Sequence, residues 1–211
     1  MKLSRLADQI QTSPILTFAA AINARKAAGE PLYNLSVGDF DPQIFPVPEE
    51  LTEATIQAYH DRQTNYPGAF GLPGIREGVA HLLNRTCDLN YGAEDVIIAS
   101  GSRPASYAAY RTIVDPGDQV VFQVPSWNNE HYAAMNGARV TTVETDPDKR
   151  FMPTADMLEP HLEEAVLLAL CSPLNPTGTV LSREDLKAIC DLVVDINRRR
   201  SDHLKPLSVL F

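Results

Sequence analysis

Three short stretches carry residue types that together could hold a phosphate-bearing planar ligand. Ser100-Gly101-Ser102-Arg103-Pro104 follows an apolar run and opens a helical pattern, with Pro104 suited to a first helical turn. Free backbone N–H groups, the Ser102 hydroxyl and the positive end of the helix dipole converge at such a turn, so an anion binds there without a Walker or dinucleotide fingerprint. Asn175-Pro176-Thr177-Gly178 follows the most apolar run in the chain, where an Asn amide can donate to a ligand oxygen. Pro125-Ser126-Trp127-Asn128-Asn129 holds the only Trp, whose flat indole can stack on a planar ring. Singly, they also read as an ordinary strand-to-helix turn, a Pro/Gly turn and a core or rim Trp. Their force is positional: each falls at the carboxyl end of a strand in one expected sheet, the edge where open α/β sheets place their ligands.

The elements that must position them follow from periodicity. Ile15, Phe18, Ala19 and Ile22 recur at helical spacing after Ser13-Pro14, with Gly29 as the stop. A short extended piece enters a Gly/Asp/Pro loop across residues 34–42, and a helix is expected over 49–59. Strands are expected at 96–99, 119–123, 139–143, 165–170 and 206–211. Helices are expected over 104–114 and 129–135, from about 154, and again after Ser182, which with Asp185 resembles a capping box. The turn Asp115-Pro116-Gly117-Asp118 and the stop at Gly137 punctuate the series. The unbroken apolar run 165–170 suits a strand covered on both faces. The expectation is an α/β fold, a mostly parallel sheet with helices on both faces. Arg198-Arg199-Arg200 falls at a helix end, where cations meet the negative end of the dipole. The run 207–211 reads as a strand entering the sheet with no crossover after it, so the sheet is expected to be incomplete at the C-terminus.

Bulk properties narrow the ligand class. With 211 residues, 44% of them hydrophobic and 21% charged, the chain can bury a core of its own. Its 18 basic against 27 acidic residues leave a net charge of -9, so no broad basic field exists to hold nucleic acid or an anionic membrane. A small-molecule ligand is expected instead. Cys87, Cys171 and Cys190 form no CxxC or Cys/His pattern, which points to neither a disulfide framework nor a zinc or other metal site. The start lacks the apolar region of a signal peptide, and no apolar run approaches the roughly 20 residues of a membrane span. A cytoplasmic protein is expected.

Further segments bring a family resemblance into view. Ser36-Val37-Gly38-Asp39-Phe40-Asp41, Asn65-Tyr66, Gly71-Leu72-Pro73-Gly74-Ile75-Arg76, Ser100-Gly101-Ser102-Arg103, Asp115-Pro116-Gly117-Asp118, Pro125-Ser126-Trp127 and Asn175-Pro176-Thr177-Gly178 occur in that order. In order and spacing, over nearly the whole chain, they resemble the class I/II aminotransferases of the aspartate aminotransferase superfamily, which use pyridoxal 5'-phosphate (PLP) on the large domain of fold type I. The resemblance implies that Gly101, Ser102 and Arg103 bind the PLP phosphate, that Trp127 stacks on the pyridine ring, and that Asn175 bonds the phenolic oxygen. It places Gly38 near the substrate carboxylate. It makes Tyr66 the residue that reaches across a two-fold axis to the partner's PLP phosphate, which implies a homodimer. Arg103-Pro104 departs from the family's more usual residues, which leaves the backbone contacts intact and changes the side-chain contact at Arg103. Residues 1–45 are expected to form an N-terminal arm and part of a small domain, and 46–211 the first part of the PLP-binding large domain.

The resemblance also implies groups that these residues do not include. After the strand at 207–211 the family has an Asp-x-x-Tyr segment, then a Schiff-base lysine, then an arginine for the substrate carboxylate. None of Lys2, Lys26, Lys149, Lys187 and Lys205 occupies a position resembling the Schiff-base site. The expectation is therefore a parent aminotransferase acting on an amino acid and a 2-oxo acid, of which this chain alone supplies part of the site, no catalytic residue and no activity. Two alternatives share the same segments: a PLP lyase or synthase of the same fold, and a non-catalytic relic or dimer-forming module. A nucleotide-binding dehydrogenase fits poorly, because no GxGxxG follows the first strand.

Overall fold

The computed structural model describes residues 2, 4–9, 14–36, 38 and 40–211. Two compact units emerge, Met1–Ile98 and Ala99–Phe211. Ser13, Val37 and Asp39, and the side chain of Ile15, lie outside the described residues.

The first unit is helical. It contains α1 (Arg5–Gln9), α2 (Pro14–Ala27), α3 (Glu49–His60) and α4 (Pro73–Cys87). The expected stop after α2 is present, with Gly29 at φ 81°. Helix α3 carries Glu49 and Glu50 in its first turn, where carboxylates favour the positive end of the dipole. Helix α4 opens on Pro73, whose missing N–H costs nothing at that position. Just before it, Gly71 has φ 98°, and a Cβ there would lie 2.7 Å from Ile98 Cβ, so the Gly71-Leu72-Pro73-Gly74 motif needs its first glycine for both reasons.

The strand expected at 96–99 is not formed, which corrects the sequence reading. Arg76 donates from Nε to the Val96 carbonyl at 2.9 Å and from Nη2 to the Ala93 carbonyl at 2.5 Å. The Ile98 N–H donates to the Phe70 carbonyl at 3.0 Å. The run is extended, but its Val96 carbonyl and Ile98 N–H pair with an arginine and a loop and not with a strand ladder.

The second unit alternates helix and strand: α5 (Ser102–Ile113), β1 (Gln119–Val124), α6 (Asn129–Met135), β2 (Arg139–Glu144), α7 (Ala155–Leu162), β3 (Ala165–Ala169), α8 (Arg183–Arg199) and β4 (Ser208–Leu210). The four strands are parallel in the order β2-β1-β3-β4. Val121, Val143, Ala165 and Leu168 pack with Leu158 and Leu162 of α7 and Ile189, Val193 and Ile196 of α8. Val120, Phe122, Val166, Leu167 and Ala169 pack on the opposite face with Tyr110 of α5 and Ala133 of α6. Every residue of β3 is buried, as its apolar run requires of a strand covered on both sides.

One irregularity lies inside the sheet. Gln119 pairs with Ala165 while the next residue, Val120, pairs with Leu167, so β3 carries one extra residue at Val166. Val166 and Leu167 consequently share a face, against the usual alternation.

Connections at both edges of the sheet are polar and specific. Ser182 Oγ accepts from the Asp185 N–H at 3.0 Å and starts α8 as expected. The Arg198-Arg199-Arg200 run does more than meet the helix dipole. The Arg200 guanidinium donates to the carbonyls of Leu162, Glu163, Ala165 and Lys205, at 2.7–2.9 Å, and so ties the end of α7 and the start of β3 to the segment before β4.

Candidate functional site

The chain order reverses between β1 and β3. The path leaves β1 for β2 on one side through α6, and leaves β3 for β4 on the other through α8, so a crevice opens at the carboxyl ends of β1 and β3. A cavity of about 250 Å³ lies there. Helix α5 contributes Ser102, Arg103 and Ser106; the segment after β1 contributes Trp127, Asn128 and Asn129, with Tyr132 from α6; the end of β3 contributes Ala169, Leu170 and Cys171. Leu210 and Phe211 close one side.

The start of α5 leaves backbone donors without side-chain partners. Gly101 precedes the helix with φ 129° and ψ 166°, a region open essentially to glycine alone, and no side chain caps the first turn. The N–H groups of Ser102 and Arg103 therefore lack helical acceptors, and both residues border the cavity. No Asp or Glu is among the residues lining the cavity. Trp127 is half-buried and lines the same cavity, as do the apolar Ala169 and Leu170.

A polar chain runs beneath this wall. Tyr110, fully buried in α5, donates its O–H to Asn129 Oδ1 at 3.0 Å, and Asn129 Nδ2 donates to Ser126 Oγ at 2.8 Å. Burial, with the neighbouring Tyr132 and Glu130, pushes the Tyr110 phenol well above its ordinary pKa, so it remains a donor.

Ser102, Arg103 and Trp127 thus meet around one cavity, and Gly101 sets the turn that delivers two of them. Asn175 lies on an exposed turn beyond β3, outside the residues lining the cavity. That turn is closed by the Leu174 N–H to the Thr179 carbonyl at 2.8 Å and the Gly178 N–H to the Leu174 carbonyl at 2.7 Å. Tyr66 and Gly38 belong to the first unit and are exposed, Tyr66 at 99%. Sequence reasoning missed Ser106, Asn129, Tyr132 and Cys171 as lining residues. Ser106 had a signal, since it stands one helical turn beyond Ser102. The others depend on contacts that no local pattern records.

Known proteins match over the same span. Residues 30–198 match the family model described as aminotransferase class I and II. The aspartate aminotransferase of Streptomyces avermitilis is 31% identical over 192 residues, covering 89% of this chain and 46% of that protein. That of Thermotoga maritima is 30% identical over 194 residues, covering 90% of this chain and 50% of that protein. Among solved structures, the aspartate aminotransferase from Thermus thermophilus with maleate superimposes with a TM-score of 0.84 at 29% identity, covering 93% of this chain and 51% of that one. The chain spans about half the length of the curated relatives it matches.

Proposed function

The chain belongs to the class I and II aminotransferases, a PLP-dependent family with the fold type I α/β architecture, and from that premise we propose that its protein exchanges an amino group between an amino acid and a 2-oxo acid. The observation that carries this reading is the conjunction of an uncapped helix start, a hydroxyl, a guanidinium and an indole around one cavity at the switch point of a parallel sheet.

These residues fit the cofactor. The start of α5, with Ser102 and Arg103, matches a phosphate in charge and donors. The Trp127 indole, in a cavity lined also by Ala169 and Leu170, suits a flat ring. When bound, PLP supplies an electron sink that loosens the bonds at an amino acid's α-carbon. Gly101 shapes the turn, Ser102 and Arg103 hold the phosphate, and Trp127 fixes the ring plane and keeps water from one face. Asn175 is assigned to the phenolic oxygen and Gly38 to the neighbourhood of the substrate carboxylate. Tyr66, fully exposed, is assigned to a phosphate contact across the two-fold axis of a homodimer.

No lysine lines the cavity. We therefore assign cofactor holding, and not proton transfer, to these 211 residues, which alone should bind without turnover. Residues 1–45 are proposed as an arm with part of a small domain, and 46–211 as the first part of the large domain. Among the described residues no helix is long and apolar enough to cross a membrane. The three cysteines are unpaired, which supports a reducing, cytoplasmic setting.

The test is titration of the 211-residue chain with PLP, followed by absorbance and by quenching of Trp127, beside a transamination assay of the whole protein. Aspartate is the first amino donor to try, because the similar proteins carry that name. Saturable binding that weakens in Trp127→Ala and Arg103→Ala supports the site. Binding unchanged in both variants overturns it.

A further inference from the structure

The indole that forms one wall of the cavity has little holding its turn in place. Val124 anchors the entrance, its carbonyl accepting from the Thr145 N–H at 3.0 Å and the Thr145 hydroxyl at 2.8 Å. Asn128 anchors the exit, its carbonyl accepting from the His131 N–H at 3.1 Å and the Tyr132 N–H at 3.2 Å. Between these points, among the described residues, the Asn129 amide makes the one hydrogen bond that reaches Ser126 or Trp127. Asn128 sits in the left-handed region at φ 63° and no side chain caps α6, so the backbone gains no other local support there.

We infer that Tyr110 and Asn129 are positioning residues for Trp127, joining the helix that meets the anion to the turn that carries the ring through the continuous path Tyr110–Asn129–Ser126. The direction of the path is fixed. A buried, protonated phenol must donate, which turns the Asn129 carbonyl oxygen toward Tyr110 and leaves its amide nitrogen for Ser126. Tyr110 is itself held by packing, fully buried with its ring centroid 5.4 Å from that of Tyr132. The two walls of the cavity therefore share one rigid reference, and a shift of the start of α5 is transmitted to the indole.

This inference rests on the proposed cofactor site for its consequence, but its geometry can be tested without any ligand. Trp127 is the only Trp in the chain, so its fluorescence reports this turn alone. Tyr110→Phe deletes the donor and keeps the ring; Ser126→Ala deletes the far acceptor; Val114→Ala damages the same apolar cluster without touching the path. In the ligand-free 211-residue chain, acrylamide quenching of Trp127 is expected to rise in the first two variants and to stay unchanged in the third, although Val114→Ala lowers the melting temperature. The PLP dissociation constant should rise about 2- to 10-fold in Tyr110→Phe and Ser126→Ala, the range for one net hydrogen bond. The double variant should shift little beyond the larger single one, because both act through Asn129. Unchanged quenching in Tyr110→Phe and Ser126→Ala, or an equal change in Val114→Ala, overturns the inference. If quenching responds as expected while the parent chain fails to bind PLP, the positioning role stands and the cofactor reading fails.

Discussion

The ammonium of Lys205 lies 2.6 Å from Asp118 Oδ2, joining the segment that enters β4 to the turn that enters β1. Asp115 takes the same ammonium at 2.5 Å, and the Ile113 carbonyl accepts from it at 3.3 Å. The cluster stands at the amino edge of the sheet, away from the cavity. It is a stability device, and its pH behaviour can be signed.

Desolvation alone would raise the Asp118 carboxyl, but the Lys205 hydrogen bond, the Asp115 N–H and the charges of Lys205 and Arg139 outweigh it and hold the pKa below its ordinary value. Its contribution is therefore present above the usual carboxylate range and is lost as pH falls through the lowered pKa. Hydrogen bonds to Asp115 and Asp118 raise Lys205, so its contribution is intact below the ordinary lysine value and is lost as pH rises through the raised one. Urea titrations of Lys205→Met should show a loss within about 1 kcal/mol at neutral pH, as for partly exposed pairs. The difference from the parent should shrink toward both pH extremes, and Trp127 quenching should not change.

Arg200 and Arg199 are adjacent in sequence and should differ sharply when replaced. Arg199 reaches Glu163 at 3.3 Å from an exposed position, so Arg199→Ala should stay within about 0.5 kcal/mol. Arg200 serves four carbonyls, and Arg200→Met should cost about 2–4 kcal/mol by stranding them. Arg200→Lys should recover little, because an ammonium cannot reproduce the planar fork. The midpoint of urea unfolding for the three variants decides the matter.

Gly101→Ala tests the shape of the anion turn. An added Cβ would meet only Pro104 Cδ at 3.8 Å, an ordinary contact, so the penalty comes from the backbone angle and not from crowding. A cost of about 1–3 kcal/mol is expected, with weaker binding of both PLP and inorganic phosphate. Calorimetric titration with each ligand would show it, and unchanged phosphate affinity would remove Gly101 from the site.

Trp127→Ala should raise the PLP dissociation constant by about 2- to 10-fold, the scale of an aromatic stacking contact. Asn175→Ala should weaken binding or slow transamination in the whole protein, while Cys87→Ser, at an exposed thiol, should do neither. Calorimetry serves for the first, since the variant has no indole left to observe.

Much of the second unit could be read from local pattern. The unbroken apolar run of β3, the Gly137 stop and the Ser182 cap each fix an element through residues that lie next to one another. The run Val96-Ile97-Ile98-Ala99 had the same local character but forms no strand; Arg76 and Phe70, 20 and 28 positions before Val96 and Ile98 respectively, take the Val96 carbonyl and the Ile98 N–H. The site divides along the same line. Ser102 and Trp127 were legible because helix starts and strand ends concentrate ligand contacts. Tyr110 was not, since its partner Asn129 stands 19 residues away, across a strand. Arg200 looked like its two neighbours until the fold brought four carbonyls to it.

The extra residue at Val166 sets the phase of everything after it in β3. With it, small Ala169 faces the α5/α6 side and lines the cavity, while Leu168 turns to the α7/α8 side and Leu170, just past the strand, packs on that side and borders the cavity as well. Removing Val166 would restore an even ladder and leave Leu167, Leu168 and Ala169 on their present faces, whereas an even ladder of unchanged length, with Val166 opposite Val120, would exchange the two sets and turn Leu168 to the α5/α6 side. Which side chains meet the cavity at one end of the strand is thus decided by an irregular pairing at the other, so β3 must keep its bulge for as long as it keeps its length.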